Sequence, residues 1–529
     1  MTQLPDVVSR TEIRDGMKIT WHQAIPMDDG LVLRADLFAP IAEGKYPVIL
    51  TYGVYAKGLA YQDGYPHQWR KMVEDHPEIL EGSTNKYQNW EVTDPERWIP
   101  HGYVVLRVDS RGAGWSPGLL DCNSPREIQD IYQCIEWAGT QPWSNGKVGM
   151  LGISYYASNQ WRVAGLHPPH LTAIIPWEGQ NDRYRDSGYH GGILSEFQKL
   201  WAKHQVANIQ YGLGARARKN PNTGESVAGP LTLSDDELAK NRLDVYEELK
   251  QHPFDDAWHR ERSADLSRVT IPLLTCANWG GQGIHPRGNF NGFTETASRQ
   301  KWLEVHGDSH WALFSSGYGL ALQKRFFDFF LKGIDNGWDR TPPVTLNVRH
   351  PDATFTLRHE QEWPLARTRW TKLYLDPTTL ALRPTPVAAP GTVVYAAMGP
   401  GGDVLADARA RDRDHGADRG QAIRVVVHAG RRSVPDRPGV RSPGQGADVH
   451  GVDRSQHAHR QRMAAGLASP GRPQEEQALA TLSPARSRRA ADARRDLRMR
   501  RRDPADLHRA AGGLAHCAHG ARPGLRVRR

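Results

Sequence analysis

Apolar and polar residues alternate from Leu31 to Leu37, the pattern of a half-buried strand. Pro47–Tyr52, Tyr103–Val108, Val148–Ile153 and Leu171–Trp177 are short apolar runs bordered by Gly, Pro or Asp. Their length and borders favour buried strands of a parallel sheet. Helical patterns lie between them. From Pro125 to Gly139, Ile128, Ile131, Cys134, Ile135 and Ala138 fall on one stripe. Ser124 stands at the N-cap and Glu127 in the capping-box position. Tyr156–Leu166 predicts a second helix. Strand–helix alternation of this kind predicts a doubly wound α/β sheet.

The pattern changes at Gly179. Up to about Val269 the chain is polar, mostly helical in period and rich in Tyr, His and Arg, which reads as an insertion capping the sheet. Strand patterns return at Ile271–Ala277 and Lys301–His306, followed by an amphipathic helix from Gly319 to about Lys332. After Pro342 and Pro343 come four short strand patterns, Val344–Val348, Thr354–Arg358, Lys372–Leu375 and Thr392–Tyr395. They predict the beginning of a β-sandwich. The resulting organisation is a core over 18–178 and 270–335, a helical cap over 179–269, an incomplete sandwich over 340–400 and a tail over 401–529.

Charge changes the view of that tail. The formal net charge of +9 is unevenly placed: residues 401–529 hold 27 Arg, no Lys and 14 acids, a net of +13, so the remaining 41 basic and 45 acidic residues give the body −4. The body therefore offers no basic footprint for nucleic acid. The tail also lacks Phe, Trp, Tyr and Asn, and Ala, Arg, Gly and Pro dominate it. Such a composition cannot bury enough apolar area to order itself. One reading is a basic disordered extension. The preferred one is a shift of reading frame near Pro400 in a GC-rich gene, which would leave the sandwich incomplete. No apolar run approaches membrane-spanning length. The start shows no signal-peptide pattern, and Cys122, Cys134, Cys276 and Cys517 are widely spaced. These features predict a cytoplasmic protein with free thiols.

The segment Val148-Gly-Met-Leu-Gly-Ile-Ser154-Tyr155-Tyr156 runs from strand through a tight turn into helix. A serine on such a turn is exposed at the strand end and faces the helix N-terminus, where backbone N–H groups suit a developing oxyanion. A serine there can also be a plain N-cap. The usual G-x-S-x-G form has a small residue where this chain has Tyr156, with Ala157 one step later. Three segments, in this order and spacing, resemble the CocE/NonD family of hydrolases: Asp109-Ser-Arg-Gly-Ala-Gly-Trp-Ser-Pro-Gly118, Ile135-Glu-Trp-Ala with Gln141-Pro-Trp-Ser-Asn-Gly146, and Gly152-Ile-Ser-Tyr-Tyr-Ala-Ser-Asn-Gln-Trp161. The resemblance covers about residues 18–400. It implies an α/β-hydrolase core, a helical cap and a C-terminal jelly roll, with Ser154 as nucleophile.

A hydrolase of this order carries its histidine after the last core strand. His310 in Gly307-Asp-Ser-His-Trp311 fits, and matches the Ser/Thr-His of the family. His306 in the strand and His285 in the preceding loop are rivals. The Tyr155 amide is one expected oxyanion donor. The resemblance implies the Tyr55 hydroxyl, in Tyr55-Ala-Lys57, as the second. The family's triad Asp falls where this chain reads Asn278-Trp-Gly-Gly-Gln-Gly-Ile-His285, which holds no carboxylate. Glu178, directly after Leu171–Trp177, is the chosen acid, with Asp182 and Asp308 as alternatives and with an ion pair to Arg183 or Arg185 as its other possible use.

These residues together point to cleavage of a small-molecule ester or amide through an acyl-enzyme on Ser154, with no cofactor or metal. X-Pro dipeptidyl-peptidase action is an alternative. So are a non-catalytic hydrolase-fold protein or defective gene product, and a nucleic-acid-binding use of the tail. Substrate and oligomeric state are not set by the sequence.

Overall fold

The apolar runs of the body become strands of one eleven-stranded sheet in a computed structural model, which describes residues 7–281, 283–352, 354–387 and the backbone of 405–406. The chain divides into two units, 1–349 with 355–443, and 350–354 with 444–529. All that follows concerns the first. The strands are β1 (Arg10–Arg14), β2 (Met17–Pro26), β3 (Val32–Ala39), β4 (Tyr46–Gly53), β5 (Val104–Asp109), β6 (Ser144–Ile153), β7 (Leu171–Trp177), β8 (Tyr189–His190), β9 (Ile193–Leu194), β10 (Leu273–Asn278), β11 (Lys301–His306), β12 (Val344–Arg349) and β13 (Phe355–Glu360). The sheet runs β1-β2-β3-β5-β4-β6-β7-β10-β11-β12-β13, and β8 with β9 forms a separate small hairpin. Strands β5 through β12 in that order are parallel, with antiparallel pairs at both ends.

Alternation within the parallel strands explains why both faces are covered. Val48 and Leu50 of β4 join Val104, Leu106, Val148 and Met150 on one face, under Ile128, Ile131 and Ile135 of helix Pro125–Gly139. Ile49, Val105, Leu151 and Ile153 point the other way, onto Phe326, Phe327 and Leu331 of helix Gly317–Lys332. A period of two with apolar residues on both sides is what helices on both faces require. Gly149 permits a close approach of the second helix, since a Cβ there would stand 2.7 Å from Phe327. Cys122, Cys134 and Cys276 are buried and free.

Helix Pro125–Gly139 begins as its sequence implies: Ser124 Oγ accepts from Glu127 N at 3.1 Å. The return half of the capping box is different. The Glu127 carboxylate leaves the helix end and accepts from Asn123 N, Ser110 Oγ and Tyr155 Oη at 2.8–2.9 Å. It ties the helix Tyr155–Ala164 to the loop after β5.

Two elements depart from expectation. The N-terminal hairpin β1–β2 extends the sheet ahead of the alternating run. At the other end, the strands expected to open a separate sandwich, β12 and β13, complete the core sheet instead, β12 pairing parallel to β11. Free-standing β structure begins later, with β14 (Tyr374–Asp376), β15 (Ala381–Arg383) and β16 (Leu405–Ala406) in a three-stranded sheet. The strand pattern at Thr392–Tyr395, Cys517 and nearly all of the tail lie outside the described residues.

Strand order reverses at β4: β5 lies on one side and β6 on the other. Such a reversal opens a crevice at the C-terminal strand ends, where α/β sheets bind ligands. Tyr55 follows β4 and Ser154 follows β6, so the topology puts both at this crevice.

Candidate active site

Ser154 is the one residue between β6 and helix Tyr155–Ala164, with φ 59° and ψ −110°. A left-handed serine costs about 1–3 kcal/mol and persists only where the surroundings enforce it. Here they do. Ser154 N donates to Trp177 O at 3.1 Å, and Ser154 O accepts from Ser158 N at 2.8 Å. The turn is tight enough that a Cβ on Gly152 would meet Tyr156 Cβ at 2.4 Å. A Cβ on Gly53, at the end of β4, would lie 2.6 Å from the Tyr156 ring. Two glycines thus make the room that Tyr156 needs. Ala157 is small because Gly179 packs on it: a Cβ on Gly179 would come within 2.6 Å.

Ser154 Oγ lies 3.0 Å from His285 Nε2. His285 Nδ1 is 3.1 Å from Gly281 O, so it carries the proton and leaves Nε2 as acceptor. Burial and then the neighbouring charge of His310 lower His285 to about 3, which keeps it neutral. His310 stacks on it, ring centroids 4.9 Å apart and 12° from parallel. His310 Nδ1 meets Glu178 Oε2 at 2.6 Å, and its Nε2 faces Glu91 Oε1 at 3.3 Å. The contact with Ser154 that the loop order assigns to His310 is made here by His285.

Glu178 sits at the end of β7 with φ 50° and is wholly buried. Its Oε1 takes His306 Nε2 at 3.1 Å and Asn278 Nδ2 at 3.2 Å. His306 Nδ1 in turn meets Glu304 at 2.7 Å. Acids and imidazoles therefore alternate from Glu304 through His306, Glu178 and His310 to Glu91. Burial alone would raise the Glu178 carboxyl, but His310 and His306 outweigh it and hold it far below the usual range. Burial would also lower both imidazoles, yet the flanking carboxylates raise His306 to about 9 and His310 to about 10. Burial raises Glu91. The cap arginines do not compete for Glu178: Arg185 pairs with Asp182 and Asp255. Asp308 turns its carboxylate toward His76, 3.5 Å away.

Residues 29–312, more than half of the chain, match the family described as X-Pro dipeptidyl-peptidase (S15 family). The chain belongs to this family. It is 28% identical over 386 residues to the cocaine esterase of Rhodococcus sp. (strain MB1 Bresler), covering 66% of this chain and 61% of that protein. A CocE/NonD family hydrolase from Staphylococcus aureus, of known structure, is 36% identical with a TM-score of 0.60, over 70% of this chain and 61% of that one. The chain thus spans 61% of the length of each of these relatives.

In this S15 chain the Tyr55 loop is pinned from below. Lys57 N donates to Asp109 Oδ1 at 2.6 Å, and the buried Lys57 Nζ donates to Asp36 at 2.6 Å. Asp109 also accepts from Trp115 N at 2.8 Å. A Cβ on Gly114 would land on the Asp109 carboxylate, so this glycine-rich loop serves to enclose a structural acid. Tyr55 is buried, and its hydroxyl oxygen accepts from Trp201 Nε1 of the cap at 2.9 Å. With that lone pair taken, the hydroxyl proton is available to a third group. Tyr55, Ser154, Tyr155, Trp201 and His285 line one cavity. Tyr155 opens the helix, whose first amides have no partner within it.

Glu91 carries no sequence signal; it stands at φ 62° in an irregular segment. Among the described residues Glu178, His285 and His310 form the one carboxylate–histidine group close enough to share a metal ion, their donor atoms lying within 4.8 Å of one another. Each is already engaged, His285 with Ser154 and His310 with Glu178. No helix of the described residues is long and apolar enough to cross a membrane.

Proposed function

We propose that this protein is a serine acyl hydrolase that cleaves a small-molecule ester or amide through an acyl-enzyme on Ser154. The observation that carries the proposal is the strained Ser154 turn, with Oγ hydrogen-bonded to a neutral imidazole 3.0 Å away. Family membership supports it.

Glu178 and His310 act as acid and base in this reading. Their contact at 2.6 Å through Nδ1 is the orientation a triad histidine needs. To act, His310 Nε2 exchanges Glu91 for Ser154 Oγ, which His285 holds in the resting state. The tetrahedral oxyanion is received by the Tyr155 amide and the Tyr55 hydroxyl. His310 returns the proton to the leaving group, and water frees the acyl-enzyme. A second reading makes His285 itself the base, favoured by its direct contact with Oγ. The mechanism calls on no metal or cofactor.

The test is labelling with a fluorophosphonate and hydrolysis of an ester and amide panel, with Ser154→Ala as control. Labelling of the wild type that vanishes in Ser154→Ala is expected. Labelling that persists in the variant, or an inert wild type, overturns the proposal.

A further inference from the structure

A small cavity of about 20 Å³ opens in front of Ser154. None of its lining residues is an Asp or Glu. One of them is Arg183, which is 2% exposed. Burying a guanidinium is costly unless a counter-charge meets it. Among the described residues no carboxylate is bonded to Arg183. Nη1 donates to Ser187 Oγ at 3.0 Å and Nη2 to Gln198 Oε1 at 3.3 Å, both neutral, and Nε has no partner.

Neighbouring groups do not supply the missing charge. Two more buried arginines, Arg162 and Arg262, stand near enough to oppose Arg183 electrostatically. Arg262 takes up Asp121 at 3.1 Å. Arg162 donates to the backbone carbonyls of Ser124 and Glu261. Burial raises the nearby Glu127 to about 7, so it is only partly charged at neutrality. Three guanidiniums therefore face fewer than two full negative charges from Asp121 and Glu127. The cavity wall also presents unpaired amide oxygens, Asn123 Oδ1 and Gln180 Oε1.

We propose that the substrate carries a carboxylate on one side of its scissile ester or amide bond, and that Arg183 binds it. This rests on the serine-hydrolase reading for the cleavage but not for the binding. An arginine meets a carboxylate through two parallel N–H bonds, which fixes orientation as well as charge. The same surplus of positive charge opposes a substrate with a free amino group, because no carboxylate lines the cavity to neutralise it. The site is thus directed to anionic acyl compounds, and a peptide amino terminus is disfavoured.

Two matched ester pairs test this on the full-length protein. On the acyl side, 4-nitrophenyl hemisuccinate is compared with neutral 4-nitrophenyl valerate. On the leaving-group side, 4-acetoxybenzoate is compared with its methyl ester. In one pair the anionic ester should have kcat/KM higher by about 10- to 100-fold, chiefly through KM, as a charge-assisted contact gives. Arg183→Gln should erase that ratio. Because this variant could misfold, calorimetric titration of wild-type protein with succinate, succinamide and inorganic phosphate is run beside it. Succinate binding with no succinamide binding is expected, with phosphate weaker. Equal kcat/KM within both pairs, or phosphate binding as tight as succinate, overturns the inference. Fluorophosphonate labelling separates the two proposals: a labelled enzyme without anionic preference loses only this inference, and succinate binding without labelling loses only the hydrolase reading.

Discussion

Ser154 is held by backbone bonds on both sides, so its removal should leave the turn in place. The histidines divide more sharply. If His310 is the base, it must first be deprotonated, and its pKa is raised to about 10. The neutral fraction then grows with pH, so kcat/KM should climb through the alkaline range. A base at His285, lowered to about 3, would give a flat profile between about pH 5 and 9 instead. A pH–rate profile of the wild type decides this. Glu178→Gln should cut kcat by about 10⁴, as loss of an orienting acid does. It should also move the alkaline limb down toward the ordinary imidazole value, since the largest raising influence on His310 is gone. A limb that does not move shows that Glu178 does not set the His310 charge. Tyr55→Phe should lower kcat by about 10²–10³ with little change in KM, the effect of losing one oxyanion donor. Unaltered kcat would remove Tyr55 from that role. The strand-end positions of Ser154 and Glu178 are legible in sequence, because each directly follows a strand whose end is marked by its apolar run. His285 is only a rival in sequence, because its approach to Oγ is a tertiary contact across 131 positions that spacing along the chain does not encode. Arg183 was legible as a cap arginine but not as an unpaired one, since the missing partner shows only in three dimensions.

At the scale of elements, the Ser154 turn is a three-body packing problem among Gly53, Gly152 and Tyr156. Gly152→Ala should destabilise the protein by about 1–3 kcal/mol, the usual cost of overpacking. In a Tyr156→Gly background, itself destabilised by the lost ring, the added cost of Gly152→Ala should be smaller than in the wild type. Thermal or denaturant unfolding of the single and double variants tests the coupling, and strict additivity would show that the clash is relieved elsewhere. Most parallel strands and the helix Pro125–Gly139 were readable because apolar period, caps and borders agree there. The hairpin β1–β2 was not, since Arg10–Arg14 is polar and largely exposed, and its pairing is a matter of backbone register. The cap was readable only as a change of pattern: its α-helices are five to seven residues long, too short to establish a period.

Across the whole molecule, core and cap share the site. Trp201 of the cap donates to Tyr55 of the core, so the hydroxyl's direction is set by a residue 146 positions away. Trp201→Phe keeps an aromatic ring and deletes the donor. It should reduce kcat by about fivefold, near the net worth of one neutral hydrogen bond, with the fold unchanged. Steady-state kinetics with circular dichroism checks this, and a kcat equal to wild type would mean that Tyr55 is oriented from within the core.

The edge pair β12–β13 reaches into the chemistry from the far side of the sheet. Trp279, at the start of the loop that carries His285, donates its indole N–H to Asn347 O of β12 at 2.7 Å. Phe290, in the helix that follows His285, packs on Trp363 with ring centroids 5.2 Å apart. Gly307, three residues before His310, lies so close to Phe355 of β13 that a Cβ there would come within 2.3 Å of the ring. Both histidine loops are therefore buttressed by residues that sequence pattern assigns to a different module. A protein cut after residue 335 would keep every group named in the reaction yet lose the scaffolding that aims two of them. The unit that holds His285 and His310 in place therefore extends to Trp363, and exchanging this edge segment between relatives should shift both histidines.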